Sequence, residues 1–303
     1  MKRHFVGVDI GGSKVAVVAT EVESEREVYA AKLKTPADSG VGAMLRLLDE
    51  QIDELPGGRA SMSALGVAVP GHVDDSGRVL YAGNLYGWGD VPLRSQLEER
   101  YRVPVFVDRD AICGALGEKW LGVAKKMKDF VFLALGTGVG AGLFVDGSVY
   151  RGAHFAAGEV GDMTFPANRG EKDTRLSDVV GKRTIKKKAK KVTGKKMSAA
   201  EALERAEKVP PLRRIARDVV EYLSSSVVAI SAMLDPEAIV FGGGTSKAGE
   251  PLLKMVRERV APLHVVRARL MLARLGSESQ LYGALWGARQ AASSPSRRRM
   301  AGS

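Results

Sequence analysis

Two stretches decide how this chain folds: FVGVDIGGSKVAVVA at residues 5–19 and FVFLALGTGVGAGLFV at residues 130–145. In each, an apolar, β-prone run enters a glycine-rich turn and a second apolar run leaves it, the pattern of two antiparallel strands tightly joined. Their separation by roughly half of the 303-residue chain reads as two related lobes, an internal duplication, and not as one continuous sheet.

Beyond the first hairpin, Glu27 to Lys34 reads as a strand, and Gly42 to Leu55 carries helical apolar spacing at Met44, Leu45, Leu48, Ile52 and Leu55. A buried strand from Ala64 to Val69 ends at Pro70-Gly71, and a loop with Asn84 and Trp88 follows. Next come a helix from Pro92 to Tyr101, with proline where helices begin, a strand from Val103 to Val107 and a helix from Asp110 to Leu121. Past the second hairpin, a loop-rich region (Arg151 to Thr174) precedes a lysine-rich helix and a helix from Ala199 to Lys208 that Pro210-Pro211 ends. A long apolar helix (Leu212 to Leu234), a strand (Ala238 to Phe241) running into Gly242-Gly243-Gly244, and helices at Gly249 to Val260 and Leu281 to Gln290 complete the chain. The expected organisation is a first lobe at residues 1–120, a second at 121–292 whose last helix packs back on the first, and a disordered basic tail at 293–303. No low-complexity linker separates the lobes, so element ends should form the hinge.

Composition limits the function classes. With 45% hydrophobic and 27% charged residues, the chain is neither disordered nor fibrous. No apolar run approaches the roughly 20 residues of a membrane helix, and Met1-Lys2-Arg3-His4 leads directly into a strand, so the expected compartment is the cytoplasm, without a membrane partner. The single cysteine, Cys113, excludes an internal disulfide and a thiolate zinc cluster, and reads as a small buried residue of its helix. The net charge of +11 is concentrated: nine cations lie in Lys182 to Lys196 and three at Arg297 to Arg299, neither segment holds an acid, and the remainder sums to −1. That distribution argues against a general nucleic-acid surface. The lysine run reads as a solvated helix, with contacts to a polyanionic donor such as polyphosphate, or to nucleic acid, as alternatives; no aromatic side chain is interleaved there to stack bases.

Three turns could present successive backbone N–H groups to phosphates: Gly11-Gly12-Ser13-Lys14, Gly136-Thr137-Gly138 with Gly140, and Gly242-Gly243-Gly244. Residues 136–142 do not form a dinucleotide fingerprint, because the chain continues from Gly140 as a strand. Asp9, ending a strand beside the first turn, either holds Mg2+ through water or caps the turn. Asp110, at a helix start after a buried strand, can take a proton from a hydroxyl attacking a phosphoryl group, and can also act as an N-cap.

Taken in order, Asp9-Ile-Gly-Gly-Ser-Lys14, Val69-Pro70-Gly71, Asn84 to Trp88, Asp110 to Glu118, Leu135-Gly-Thr-Gly-Val-Gly140, Ala157-Gly-Glu-Val-Gly161 and Asp235-Pro-Glu-Ala-Ile-Val-Phe-Gly-Gly-Gly244 resemble the ROK family of bacterial sugar kinases and sugar-responsive repressors. The resemblance runs from Phe5 to about Gln290 and is specific through seven motifs in one order. It implies an α/β, two-lobed fold of the actin and hexokinase (ribonuclease H-like) type, with ATP and Mg2+ in the interlobe cleft. The turns at Asp9 to Lys14 and Leu135 to Gly140 would be the phosphate loops, Gly242 to Thr245 the adenosine loop, and Asp110 the general base. Glu159 matches the glutamate that binds sugar hydroxyls, and Asn84 lies in the loop that covers the sugar. Proteins of this kind are usually dimers, so a homodimer is expected.

The chain departs from the family at its acceptor positions. Arg109 stands where Asn precedes the catalytic Asp, and Ile112 where a second Asn follows. Asp162 replaces the histidine of Glu-x-Gly-His, Ser177 replaces the glutamate of Leu-Glu-Asp, and Phe165 to Arg175 lacks the zinc-binding cysteines. Arg109 either pairs with Asp162, anchors an anionic group of the acceptor, or faces solvent. Glu159 and Asp162 supply carboxylates suited to a polyhydroxylated or amino-bearing acceptor, and His154 either replaces the missing histidine or sits in a surface loop. The expected activity is ATP-dependent phosphoryl transfer to a sugar or sugar-like polyol, with a non-catalytic sugar- or nucleotide-binding relative as the alternative. Family repressors carry a DNA-binding domain before the first phosphate loop; here the first strand begins at Phe5.

Overall fold

The computed structural model describes residues 3–166, 174–263 and 265–293. The basic tail beyond Ser293 and the part of Phe165 to Arg175 at 167–173 lie outside the described residues. The chain divides into two compact units, Met1–Trp120 with Gln280–Ser303, and Leu121–Ser279.

Unit 1 is built on a five-stranded sheet. Strands β1 (His4–Ile10), β2 (Lys14–Glu21) and β3 (Glu27–Lys34) form an antiparallel meander, helix α1 (Gly40–Asp53) follows, and β4 (Met62–Val69) then pairs parallel with β1. A small three-stranded sheet of β5 (His72–Val73), β6 (Val79–Tyr81) and β7 (Gly89–Val91) surrounds the loop read from the sequence as irregular. Helix α2 (Leu93–Tyr101) leads to β8 (Val105–Arg109), parallel to β4, and to α3 (Asp110–Trp120). Pro92 caps α2 instead of lying inside it, and the last strand runs two residues later than its apolar run suggests, so Arg109 ends the strand.

Strand alternation decides what each face meets. Val6, Val8 and Ile10 point to one face, where they join Met44, Leu48 and Ile52 of α1 in one buried cluster. Gly7 points to the other, where a Cβ would lie 2.9 Å from Leu285 of the C-terminal helix, Ser279–Ser293. On that second face Ala68 packs with Cys113 and Ala284, and Cys113 is fully buried. The approach there is backbone to backbone: a Cβ on Gly283 would sit 1.7 Å from the carbonyl oxygen of Cys113.

Unit 2 repeats the plan. Strands β9 (Phe130–Leu135), β10 (Val139–Val145) and β11 (Ser148–Tyr150) form the antiparallel part, and β12 (Thr164–Phe165) pairs with β13 (Thr174–Arg175) beside them. Helices α4 (Leu176–Val180), α5 (Lys182–Thr193), α6 (Ala199–Glu204), α7 (Pro210–Leu234) and α8 (Gly249–Val260) follow, with β14 (Ala238–Gly242) and β15 (Arg269–Leu272) parallel to β9. The two large sheets have the same order and the same alternation of antiparallel and parallel neighbours, β3-β2-β1-β4-β8 and β11-β10-β9-β14-β15. Pro210 and Pro211 open α7 and do not close the preceding helix, because the first turn of a helix needs no N–H from them.

Gly283→Ala is expected to destabilise the protein by on the order of 2–4 kcal/mol, since α3 and the C-terminal helix would have to separate. Gly147→Ala, with nothing within 4 Å and a φ of 75°, should lose only about 1 kcal/mol. Urea denaturation curves of the two variants test the ranking.

Candidate active site

In unit 1 the first glycine turn is held by its carbonyls. Gly11 N–H donates to the Lys14 carbonyl at 2.9 Å, Thr35 Oγ1 donates to the Gly11 carbonyl at 2.5 Å, and Thr35 N–H donates to the Ser13 carbonyl at 3.3 Å. Among the described residues the N–H groups of Gly12 and Ser13 find no protein acceptor. A Cβ on Gly12 would come 3.1 Å from the Cβ of Asn84, so the exposed Asn84 loop and the first glycine turn are in contact. Lys14 opens β2 with an exposed side chain. Thr35 was invisible to motif reading because its role depends on a contact 24 residues along the chain.

Asp9, next to the last residue of β1, lies on the same face as Gly7. Its register partner is Ala68, whose own partner on the next strand is Asp108. That places Asp9 on the face from which α3 rises, and α3 begins with Asp110. Withdrawal from solvent, reinforced by the Asp110 carboxylate, pushes the Asp9 pKa up to about 7. The Asp9 side chain still keeps partial access to solvent. Asp110 Oδ1 accepts the N–H of Ala111 at 2.7 Å, so the aspartate is anchored at the helix start as well as partly accessible.

The structure corrects one reading of Arg109. The residue is 2% exposed and does not face solvent: it ends strand β8 instead of opening a loop. Asp108 and Glu118, at 2% and 0%, are buried on the same two elements. Burial of charge is tolerated only where polar partners surround it.

Unit 2 brings two glycine turns together. They lie at the carboxyl ends of the adjacent parallel strands β9 and β14, where open α/β sheets bind ligands. Thr245 N–H donates to the Leu135 carbonyl at 2.9 Å, and a Cβ on Gly243 would meet that carbonyl oxygen at 2.7 Å. Gly136 N–H donates to the Gly138 carbonyl, and Lys182 N–H donates to the Gly136 carbonyl, both at 2.9 Å. The N–H groups of Thr137, Gly138, Gly243 and Gly244 have no protein acceptor among the described residues. Thr245 Oγ1 is fully buried and equally without a partner there. Gly140 lies within β10, opposite Ala134, and belongs to the strand instead of the turn.

Ser177 joins the Gly136–Gly138 turn to the segment that holds Glu159. Its Oγ accepts the Val139 N–H at 3.1 Å, and Cβ atoms on Gly138 and Gly161 would lie 3.3 Å and 2.4 Å from it. Glu159 sits, partly buried, in a turn tied to β10 by Ala141 N–H donating to the Gly158 carbonyl at 2.7 Å. Asp162 is exposed and pairs with Arg175 at 3.3 Å, while Arg175 also meets Asp178 at 3.2 Å. The β12–β13 pairing of Thr164 with Arg175 delivers that arginine, which the sequence did not single out. His154 is exposed in its turn, the surface-loop alternative.

Among the described residues no cluster of three or more His, Cys, Asp or Glu side chains forms a metal cage. Mg2+ rarely uses one, preferring one or two carboxylates with phosphates and water. The charge that Asp9 and Asp110 share on one face fits such an ion.

The ROK family model matches residues 5–291 of the chain. The glucokinase of Halalkalibacterium halodurans is 32% identical, over 94% of each chain. The xylose repressor of Caldicellulosiruptor bescii is 29% identical, over 84% of this chain and 69% of the repressor. A ROK family glucokinase from Streptomyces griseus, solved with glucose and AMPPNP, superposes with a TM-score of 0.80 at 25% identity, covering 95% of this chain and 99% of its own. The fold is accordingly the two-lobed actin/hexokinase-like one.

Asp9→Asn is expected to raise the Tm of the ligand-free protein, and by more at pH 8 than at pH 5. The folded-state pKa lies above the unfolded one, so the stability Asp9 contributes is present below about pH 4 and is lost as pH rises through 7. Calorimetry at the two pH values checks this; equal gains would show that Asp9 carries no shifted proton.

Proposed function

Because the chain belongs to the ROK family, we propose that it is an ATP-dependent kinase that transfers the γ-phosphoryl group to a hydroxyl of a hexose, amino sugar or cyclitol. The observation that carries this reading is the set of N–H donors without protein acceptors in all three glycine turns, beside turn carbonyls that the protein itself engages. Backbone donors fixed in this way suit the oxygens of a phosphate chain. Similarity to the glucokinases of H. halodurans and S. griseus supports the donor and the acceptor class.

In this reading Gly136 to Gly138 and Gly242 to Gly244 hold the nucleotide, with Thr245 Oγ1 as a further polar partner. Gly11 to Lys14 contacts the terminal phosphates. Asp9 would hold Mg2+ through water, and the ion would neutralise charge on the phosphates. Asp110 takes the proton of the attacking hydroxyl as the new O–P bond forms and the bond to the leaving ADP oxygen breaks, its carboxylate oriented by the Ala111 N–H. Asn84, Glu159 and Asp162 bind acceptor hydroxyls or an amino group. Arg109, buried at the strand end, positions the neighbouring Asp110. Among the described residues no helix is long and apolar enough to cross a membrane. We assign the enzyme to the cytoplasm and to a homodimer on the resemblance.

A second reading follows from the xylose repressor relative and from Asp162 and Ser177: a sugar-responsive protein that binds without turnover. Mass spectrometry of products from Mg-ATP with a panel of hexoses, amino sugars and cyclitols separates the two. The expected result is a phosphorylated product whose formation Asp110→Asn slows by about 100-fold or more, with nucleotide affinity unchanged within a few-fold. Wild-type turnover by the variant would remove Asp110 from the mechanism, and nucleotide binding without any product would favour the binding protein.

A further inference from the structure

Helix α5 carries charge that the kinase reading does not use. Its buried side is short: Ile185 and Ala189 pack into the core of unit 2. Arg183, Lys186, Lys187, Lys190 and Lys191 are exposed, and their spacing of three and four residues aligns them along one face. With Ile185 and Ala189 buried opposite, these five cations form a stripe on the exposed side. From Arg183 to Lys191 it extends about 12 Å.

The arrangement opposes the stability of the helix that bears it. Like charges four residues apart repel by about 0.2–0.5 kcal/mol a pair. The first turn holds no acid, so nothing there complements the positive helix end. Elsewhere helical cations have partners at this spacing, as in Arg94–Glu98, Glu201–Arg205 and Lys254–Glu258. None of the five stripe cations makes an ion pair among the described residues.

Its position points to the ligand. The helix starts against the donor turn: Lys182 N–H donates to the Gly136 carbonyl, and a Cβ on Gly181 would lie 2.7 Å from the Thr137 carbonyl oxygen. The Lys182 stem passes 3.4 Å from where a Cβ on Gly244 would stand. The stripe therefore continues outward from the two turns assigned to phosphates. No aromatic residue occurs on α5 to stack a base, and its apolar side is in the core and unavailable to a lipid surface. Repeated negative charge without bases or tails is the chemistry of a linear inorganic polyphosphate.

We propose that the exposed face of α5 binds linear inorganic polyphosphate, with one end of the chain at the Gly136–Gly138 turn. The inference deepens the donor side of the kinase reading, yet it concerns binding, so its test needs neither ATP nor acceptor. Long-chain polyphosphate is titrated against the full chain at 50 and 200 mM salt, alongside single-stranded DNA of matched charge. The expected result is preferential binding of polyphosphate whose affinity falls on the order of 100-fold between the two salts, as about five released counterions require. Lys186→Gln/Lys187→Gln/Lys190→Gln/Lys191→Gln should weaken it at least tenfold and flatten the salt dependence, and Lys187→Gln/Lys191→Gln should fall between. Lys254→Gln, on α8, should leave it unchanged. Binding unaltered in both stripe variants, no binding by the wild type, or tighter binding of DNA would each overturn the proposal. A kinase that fails on every acceptor but binds polyphosphate through α5 would refute the proposed function and leave this inference standing.

Discussion

A glycine-rich turn can offer its amides to a ligand only if its carbonyls are held by the protein. Otherwise the turn would satisfy its own donors or stay disordered, since buried backbone groups are almost always paired. Here Thr35 secures the first turn from the end of β3, and Lys182 and Thr245 secure the second from the start of α5 and the end of β14. Each clamp is itself placed by a five-stranded sheet, which explains why one architecture occurs twice in the chain. Ser177 adds a tie between the Gly136–Gly138 turn and the Glu159 segment.

The second constraint is electrostatic. Two carboxylates, Asp9 and Asp110, share one face of unit 1, and the desolvation of Asp9 makes its ionised form unfavourable in the ligand-free protein. A cation bound there would offset that cost, and a carboxylate perturbed in this way is the kind found where chemistry is expected. Beneath it, Asp108, Arg109 and Glu118 place three more charged groups inside the same two elements. Arg109, where the family has asparagine, is therefore a buried residue beside Asp110 and not part of an exposed surface. Asp162, which replaces the family's histidine, is engaged by Arg175 instead.

Much of this was legible in the sequence. Both hairpins, the helix starting at Asp110 and the glycine run after β14 follow from periodicity and turn chemistry alone. What escaped reading depends on contacts distant in sequence. Thr35 and Ser177 act through hydrogen bonds spanning 24 and 38 residues, which no local pattern records. The strands β5 to β7 are two or three residues long, too short for alternation to register. Pro210 was misplaced because a proline pair marks the end of one helix and the beginning of another equally well; only the connection to Leu212 decides. For Arg109 only the solvent-facing alternative falls, since a charged residue at a strand end gives no sign of its burial.

The central claim is that the glycine turns hold the nucleotide phosphates through their unpaired amides. Hydrogen exchange followed by mass spectrometry, with and without a non-hydrolysable ATP analogue and Mg2+, tests it most directly. The account requires slower exchange at residues 11–14, 136–139 and 242–246 when the analogue is bound. Binding of the analogue with exchange at these turns unchanged would contradict it.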